Sequence, residues 1–475
     1  MCAAARREPA AASVAAAAHP RYDRPVIVSH AHHDLVIVGA GAAGLATAVF
    51  AAREAPGASI ALLDGARTLG AKILVSGGGR CNVTNRCVGE ADFNGAPPHV
   101  VRRVLRGLPV PATVRFFEDL GVRLHEEAGG KVFPDTNRAR TVLDALVDAC
   151  REAGVRVCPS SRVADVARTA SGFAVSTPAG TVSARCVVLA TGGLALPLSG
   201  SDGIGYRFAE ALGHAIVPTT PALVPLVLDG RWHEPLAGVS HRAVLALGGV
   251  NVKPRRVPGP VLWTHFGVSG PATLDVSRHW LREQVGGRHP TLVASLVPGA
   301  TFAETERWLV QLAARRPRAS VASALRDAPL RGPAGAVGMG GNEPDEATDR
   351  ALRLPAALAE AVAARACGSP DLTLADLTRE DRRACVHALS ALALPVSGSR
   401  GYTHAEATAG GVDLTGVTST TLQSRACPGL FFAGEILDVD GRLGGFNFQW
   451  AWASARAAAT GVAVYLGAAG RVNRG

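Results

Sequence analysis

Apolar positions in this chain recur in two textures. Over residues 34–199, and again from 398 onward, short unbroken apolar runs end in glycine-rich turns. Asp34-Leu-Val-Ile-Val38 leads into Gly39-Ala-Gly41-Ala42-Ala43-Gly44. Ser59 to Leu63 ends in Asp64, Cys186-Val-Val-Leu ends in Ala190-Thr191-Gly192-Gly193, and Pro428-Gly-Leu-Phe-Phe-Ala ends in Gly434-Glu435. Such runs are strands buried on both faces, as in a parallel sheet. Helical periodicity separates them at Arg140 to Glu152 and from about Phe446 to Val464. Further strands are expected near Val155–Cys158, Ser161–Val166 and Phe173–Thr177.

Residues 200–397 read differently. Short apolar runs broken by Pro and Gly over 215–300 predict a β-rich insert. Residues 303–325 and 351–390 carry helical spacing, and Gly332 to Asn342 reads as a loop. The expected plan is a leader (1–33), a first nucleotide-binding part (34–199), a β-rich insert (200–345), a helical segment (346–397) and a returning nucleotide-binding part (398–475). The fold class is α/β.

The Gly39–Gly44 turn is G-x-G-x-x-G between a strand and a helix. In that setting Gly39 permits the tight turn, Gly41 lets backbone approach a pyrophosphate, and Gly44 packs helix on strand. The N–H groups at Ala42 and Ala43 open the helix and face negative charge. Asp64 follows about 20 residues on, where a carboxylate accepts hydrogen bonds from an adenosine ribose. A bound dinucleotide is the expected ligand. Gly335, Gly338 and Gly340 follow no strand and predict no second nucleotide turn.

Composition narrows this little. With 475 residues the chain exceeds one simple core. The net charge of +10 raises a nucleic-acid partner, but only Lys72, Lys131 and Lys253 are lysines, and the arginines are scattered along the sequence. No nucleic-acid partner is expected. No apolar stretch is long enough to span a bilayer, so no membrane partner is expected either. Nine cysteines lie at irregular spacing, without C-x-x-C or zinc-like clusters, which predicts free thiols, a cytoplasmic location and no metal. The alanine-rich leader is broken by Glu8 and makes a poor signal peptide. Oligomeric state is not legible.

From Lys72-Ile-Leu-Val-Ser76-Gly77-Gly78-Gly79-Arg80-Cys81-Asn82 onward the chain resembles the BaiN/YhiN-type flavoproteins, also described as NAD(P)/FAD-dependent or aminoacetone-oxidase-like enzymes. Matching segments are Lys131-Val-Phe-Pro134, Ala190-Thr-Gly-Gly193, Thr264-His-Phe-Gly-Val-Ser-Gly-Pro271, Thr408-Ala-Gly-Gly411, and Gly434 to Gly441 with Gly444-Gly-Phe-Asn-Phe-Gln-Trp450. The resemblance spans residues 34–465. It implies FAD in a Rossmann-like two-dinucleotide-binding domain, a β-barrel-like insert and a small helical piece. Asp64 stands where such proteins more usually carry Glu, and the leader has no counterpart.

With FAD as ligand, the resemblance and the residue types together give a contact set. Ser76 to Asn82 offers backbone without side chains to a flat ring or a phosphate. Arg80 either pairs with the pyrophosphate, meets a substrate carboxylate, or is solvated. Lys72, Thr191 and Gly192 join by resemblance. Glu435 accepts hydrogen bonds from the ribityl chain or from local N–H groups. Gly444, Gly445, Phe446 and Asn447 open the last helix, whose N–H groups suit anionic charge on reduced flavin. Cys81 reads as a buried small residue, and Trp450 and Trp452 as core. His265 is the candidate general acid, with Tyr402, His404 and Asp440 weaker candidates of the same kind.

The expected function is an FAD-dependent oxidoreductase, with NAD(P)H as transient donor and a small organic substrate. An amine oxidase using oxygen is the alternative within that class. A non-catalytic FAD protein with an RNA or protein partner is the alternative outside it.

Overall fold

A computed structural model of the chain describes residues 31–328 and 353–472. The expected leader falls outside these up to residue 30, and His32 and His33 already belong to the first strand. The expected Gly332–Asn342 loop also lies outside them.

The buried runs form one parallel sheet. The strand His32–Val38 sits between Ile60–Leu63 and the long strand Gly180–Leu189, with Arg156–Cys158 beyond Ile60–Leu63. Leu430–Phe432 pairs in parallel with Val187–Leu189, so the C-terminal part completes the N-terminal sheet. Leu35, Val36, Ile37, Leu62, Val187, Val188, Leu430 and Phe431 are all sealed from solvent, which is why these strands read as unbroken apolar runs. Gly172–Thr177 and Asp165–Thr169 extend the sheet in antiparallel fashion. That second strand starts later than the expected Ser161–Val166.

The helices Ala42–Glu54 and Phe446–Val472 pack on each other against this sheet. The last helix runs beyond the expected Val464. Alanines and glycines along both helices allow the close approach, and Trp450 and Trp452 fill the core beside them. Each indole also donates inside the fold, Trp450 to Gly434 O (3.2 Å) and Trp452 to Val83 O (2.9 Å).

The insert is a seven-stranded antiparallel sheet whose strand order runs from Leu392–Leu394 to Val396–Ser399. Its two end strands, Leu392–Leu394 and Val396–Ser399, are separated in the chain by Pro395 alone, so the sheet curls until its edges meet, as a barrel does. The boundaries therefore differ from the sequence plan. Leu392–Leu394 and Val396–Ser399 are strands of the insert, where residues 392–397 were expected in the helical segment and 398–399 in the returning nucleotide-binding part. Ile216–Ala222 pairs with Ala407–Val412 as a two-stranded strap between insert and nucleotide-binding part. Helices Phe302–Arg315, Val321–Arg326, Ala356–Cys367 and Arg379–Ala391 cover the insert with a separate hydrophobic core. Among the described residues no helix is long and apolar enough to cross a membrane.

Candidate functional site

The carboxyl ends of the parallel strands open onto a cavity of about 470 Å³. Three stretches distant in the chain meet there: the Gly39–Ala43 turn, the Ser76–Gly78 loop, and the segments Gly434–Glu435 and Gly444–Asn447. This is where ligands sit in open α/β sheets.

The first turn has a distinct reason for each glycine. Gly39 has φ of +103°, and a Cβ there would lie 2.5 Å from Ala190 O. At Gly44 a Cβ would lie 1.8 Å from Gly39 O, so this glycine lets the helix seat on the strand. At Gly41 a Cβ meets no protein atom within 4 Å. Protein packing does not require glycine at 41, and the space in front of it is the cavity.

Asp64 lines the same end. Its two oxygens accept from the N–H groups of Ala40 (2.6 Å) and Ala66 (2.7 Å). Burial nonetheless holds its carboxyl above the usual range, against those two bonds and Arg162. Each oxygen keeps a lone pair for a ribose hydroxyl.

The three-glycine loop follows one helical turn from Ala71. Ser76 is extended, and Gly77 and Gly78 have φ of +56° and +69°. A Cβ at Gly78 meets nothing, whereas at Gly77 it would press on Asn82 N and the Phe133 ring, both at 3.1 Å. Asn82 ties the loop down by accepting from Val132 N (3.2 Å). At the other end, Asn447 bonds the backbone of Gly441 in both directions (2.8 and 3.0 Å). A Cβ at Gly445 would lie 2.4 Å from Thr84 O, so only glycine lets the last helix begin against this wall.

Of the positions expected to touch the cofactor, all line the cavity except Gly44, Gly79 and Phe446. Gly44 acts through helix packing. Phe446 is buried in the core, edge-on to Phe93 with centroids 6.3 Å apart. Arg80 lines the cavity but its guanidinium forks onto Glu127 (2.7 and 3.3 Å) and lies 4.0 Å over Phe133. Its charge is committed within the protein rather than to a pyrophosphate or substrate. Glu435 pairs with Lys72 and accepts from Thr408 N (2.7 Å), so it serves local N–H and ammonium groups.

His265 corrects the sequence reading most clearly. It sits exposed at the turn after the strand Arg255–Thr264, its ring against Phe266, and does not line the cavity. Tyr402, His404 and Asp440 do not line it either. Cys81 is fully buried, and burial pushes its thiol up to about 12, which leaves no thiolate nucleophile.

A cavity-lining carboxyl that sequence reasoning missed is Glu406. It is exposed where it lines the cavity, and the desolvation of its carboxyl there holds it above the usual range; Asp275 adds to this, and Lys72 and Lys131 oppose it. Asp275, on the helix Pro271–Val285, accepts from Leu443 N (2.7 Å) and is pushed up to about 6 by burial. Nothing local marks Glu406: it lies two positions before the Thr408–Gly411 segment, and only the strap brings it to the cavity.

The cavity also fits FAD in the bare backbone it presents: a Cβ at Gly41 or Gly78 would meet no protein atom within 4 Å, so the space in front of both is open to a cofactor. With Asp64 at one end, bare backbone in the middle and a helix amino terminus at the other, the site defines a flavoprotein oxidoreductase of the Rossmann type. Residues 33–461 match the HI0933-like protein Rossmann domain, and the chain belongs to that family of FAD-dependent oxidoreductases. It is 33% identical over 434 residues to the ribosomal RNA dihydrouridine synthase of Escherichia coli, covering 90% of this chain and 97% of that protein. It is 31% identical over 420 residues to the 3-dehydro-bile acid delta(4,6)-reductase of Clostridium scindens, covering 88% and 96%.

Proposed function

We propose that this protein is a reductase of carbon–carbon double bonds conjugated to a carbonyl, with a uracil ring in RNA as its acceptor and NAD(P)H as its donor. Bound FAD supplies hydride transfer between donor and acceptor. Both relatives carry names that describe saturation of such a bond: dihydrouridine is uridine with its conjugated ring bond reduced, and a 3-dehydro delta(4,6) steroid is a dienone. The RNA acceptor is favoured by the higher identity of the first relative and by the basic recess described below. It departs from the expectation of no nucleic-acid partner. That expectation rested on arginines scattered in sequence, whereas folding gathers several of them.

The observation that carries the reading is Glu406. Reduction of a conjugated double bond needs a proton as well as a hydride, and Glu406 is a carboxyl on the cavity wall that desolvation holds above its ordinary value, which favours its protonated form. Lys72 and Lys131 stand near enough to act on its charge and limit how far the pKa rises. The residues around the cavity position the acceptor and exclude water.

The test is anaerobic. FAD-loaded protein is mixed with NADH or NADPH and flavin bleaching is followed; reduced protein is then mixed with uridine-containing ribosomal RNA fragments or a steroid dienone. Bleaching, followed by a gain of two hydrogens in a uridine, is the expected result. Reoxidation by the dienone and not by RNA redirects the acceptor to a small enone. Bleaching by amines alone, with peroxide released, establishes the amine oxidase instead.

A further inference from the structure

Behind the cavity wall lies a second recess of about 280 Å³, and its lining is unlike the first. Arg255 reaches it from the start of the strand Arg255–Thr264, Lys253 from the loop before that strand, and Arg278, His279 and Arg282 from the helix Pro271–Val285. The nucleotide-binding part contributes Gly95 and Asp438 to the opposite side. The strand Val439–Gly441 divides the two spaces: Val439 lines the cofactor cavity, Asp438 the recess.

Only part of the positive charge here is taken up by ion pairs within the protein. Arg278 is committed to buried Asp440 (Nη2 to Oδ1, 2.7 Å), and Glu283 to Arg288. Asp438 accepts from Gly410 N at 3.0 Å, and burial holds its carboxyl above the usual range. Among the described residues no carboxylate forms an ion pair with Lys253, Arg255 or Arg282. Arg282 donates to a backbone carbonyl, Pro218 O.

The titration of neighbours reports the same field. Half-buried Arg255 is held below its ordinary value by burial and then by Arg278. His279 is pushed down to about 3 by burial, with Arg278, Arg255 and Lys253 adding to it. Folding has brought like charges together in a partly desolvated pocket, an arrangement an anion relieves.

We infer that this recess binds a phosphate group, gripped by Arg255, Lys253 and Arg282. Guanidinium forks match phosphate oxygens in pairs, and a lysine adds a point charge. The space exceeds a lone phosphate and admits the sugar attached to it. Two sources carry that chemistry: the backbone of an RNA strand whose base enters the cofactor cavity, and the phosphates of a pyridine nucleotide donor. Because the second source does not require an RNA acceptor, the inference survives failure of the RNA reading.

The experiment uses FAD-loaded full-length protein and the Lys253→Gln/Arg255→Gln double variant, with single Lys253→Gln as a second variant because that side chain is exposed. Inorganic pyrophosphate is the first probe. It is expected to raise the melting temperature of the parent protein and to do so much less for the variants, whose flavin spectrum stays unchanged. A source is then assigned by binding. Loss of about tenfold in affinity for a uridine-containing RNA hairpin, with a shallower salt dependence, identifies the strand. The same loss for NADPH or NADH, with RNA unaffected, identifies the donor. No stabilisation of the parent by pyrophosphate, or equal stabilisation of parent and variants, overturns the inference.

Discussion

Lys72 and Glu435, 363 positions apart in the sequence, form an ion pair on the wall of the cofactor cavity, and the free oxygen of Glu435 accepts from Thr408 N. The pair joins the first part of the nucleotide-binding fold to its last part. Both side chains are about one-fifth to one-quarter exposed. Removing one partner strands the other. Lys72→Met leaves an unpaired carboxylate on the wall of the cavity that would hold the cofactor, and is expected to weaken FAD binding by at least about tenfold. Lys72→Met/Glu435→Gln is expected to recover part of that loss. Fluorescence titration of FAD into the stripped proteins measures both; a double variant no better than the single would show that the lysine acts on the cofactor directly.

Gly41 and Gly44 separate ligand space from protein packing. Gly41 has φ of −79°, open to any residue, and a Cβ there touches no protein atom. Gly41→Ala is therefore expected to leave the melting temperature of FAD-free protein nearly unchanged while cutting FAD affinity by about tenfold or more. Gly44→Ala drives a methyl into Gly39 O and is expected to lower stability outright, with or without cofactor. Equal effects of the two variants on FAD-free stability would refute the assignment of Gly41 to the ligand.

Glu406 carries the proton of the proposed reaction, so its removal separates binding from turnover. Glu406→Gln is expected to keep FAD bound and still be reduced by the donor, yet to slow acceptor reduction by about 10²-fold or more. The raised pKa fixes the sign of the pH dependence. The protonated carboxyl is the active form, so the parent's rate falls as pH rises through that pKa, and this limb is absent in the variant. His265→Ala, at an exposed turn outside the cavity, is expected to leave the rate and its pH profile unchanged.

The glycine turn and the buried strands are legible in the sequence because each is decided within a few residues: backbone sterics at Gly39, two-faced burial at Leu35–Val38 and Val187–Leu189. Gly77 is legible as part of a three-glycine run; Gly434 and Gly445 are legible through the resemblance, since the atoms that crowd them belong to Ala43 and Thr84, far off in the chain. Glu406 and Asp275 are not, because a carboxyl becomes an acid only through what surrounds it. Glu406 owes its neighbours to the strap Ile216–Ala222 with Ala407–Val412, and Asp275 to a loop 168 positions away. The same limit misplaced His265, a lone histidine in a motif whose turn faces solvent. It also hid the recess, since Lys253 and Arg255 are two positions apart in the chain but gain Arg278 and Arg282 only when the helix packs there. Residues 392–397 fell within the expected helical segment because strands as short as Leu392–Leu394 and Val396–Ser399 carry too few positions for alternation to show.

Asp275 gives the last prediction, one of stability rather than rate. Its folded-state pKa of about 6 stands above the ordinary 3.8, so folding favours the protonated form. The contribution is fully present below pH 3.8 and is lost as pH rises through about 6. Above that, the buried carboxylate costs about 3 kcal/mol relative to the acidic limit, since each tenfold change in the proton equilibrium corresponds to about 1.4 kcal/mol. Asn retains an oxygen to accept from Leu443 N but carries no charge. Asp275→Asn is therefore expected to melt with the parent near pH 4 and above it near pH 8, both measured without cofactor. A melting difference that is the same at both pH values would mean that Asp275 is not charged against burial in the folded protein, and that the loop at Leu443 is held by geometry alone.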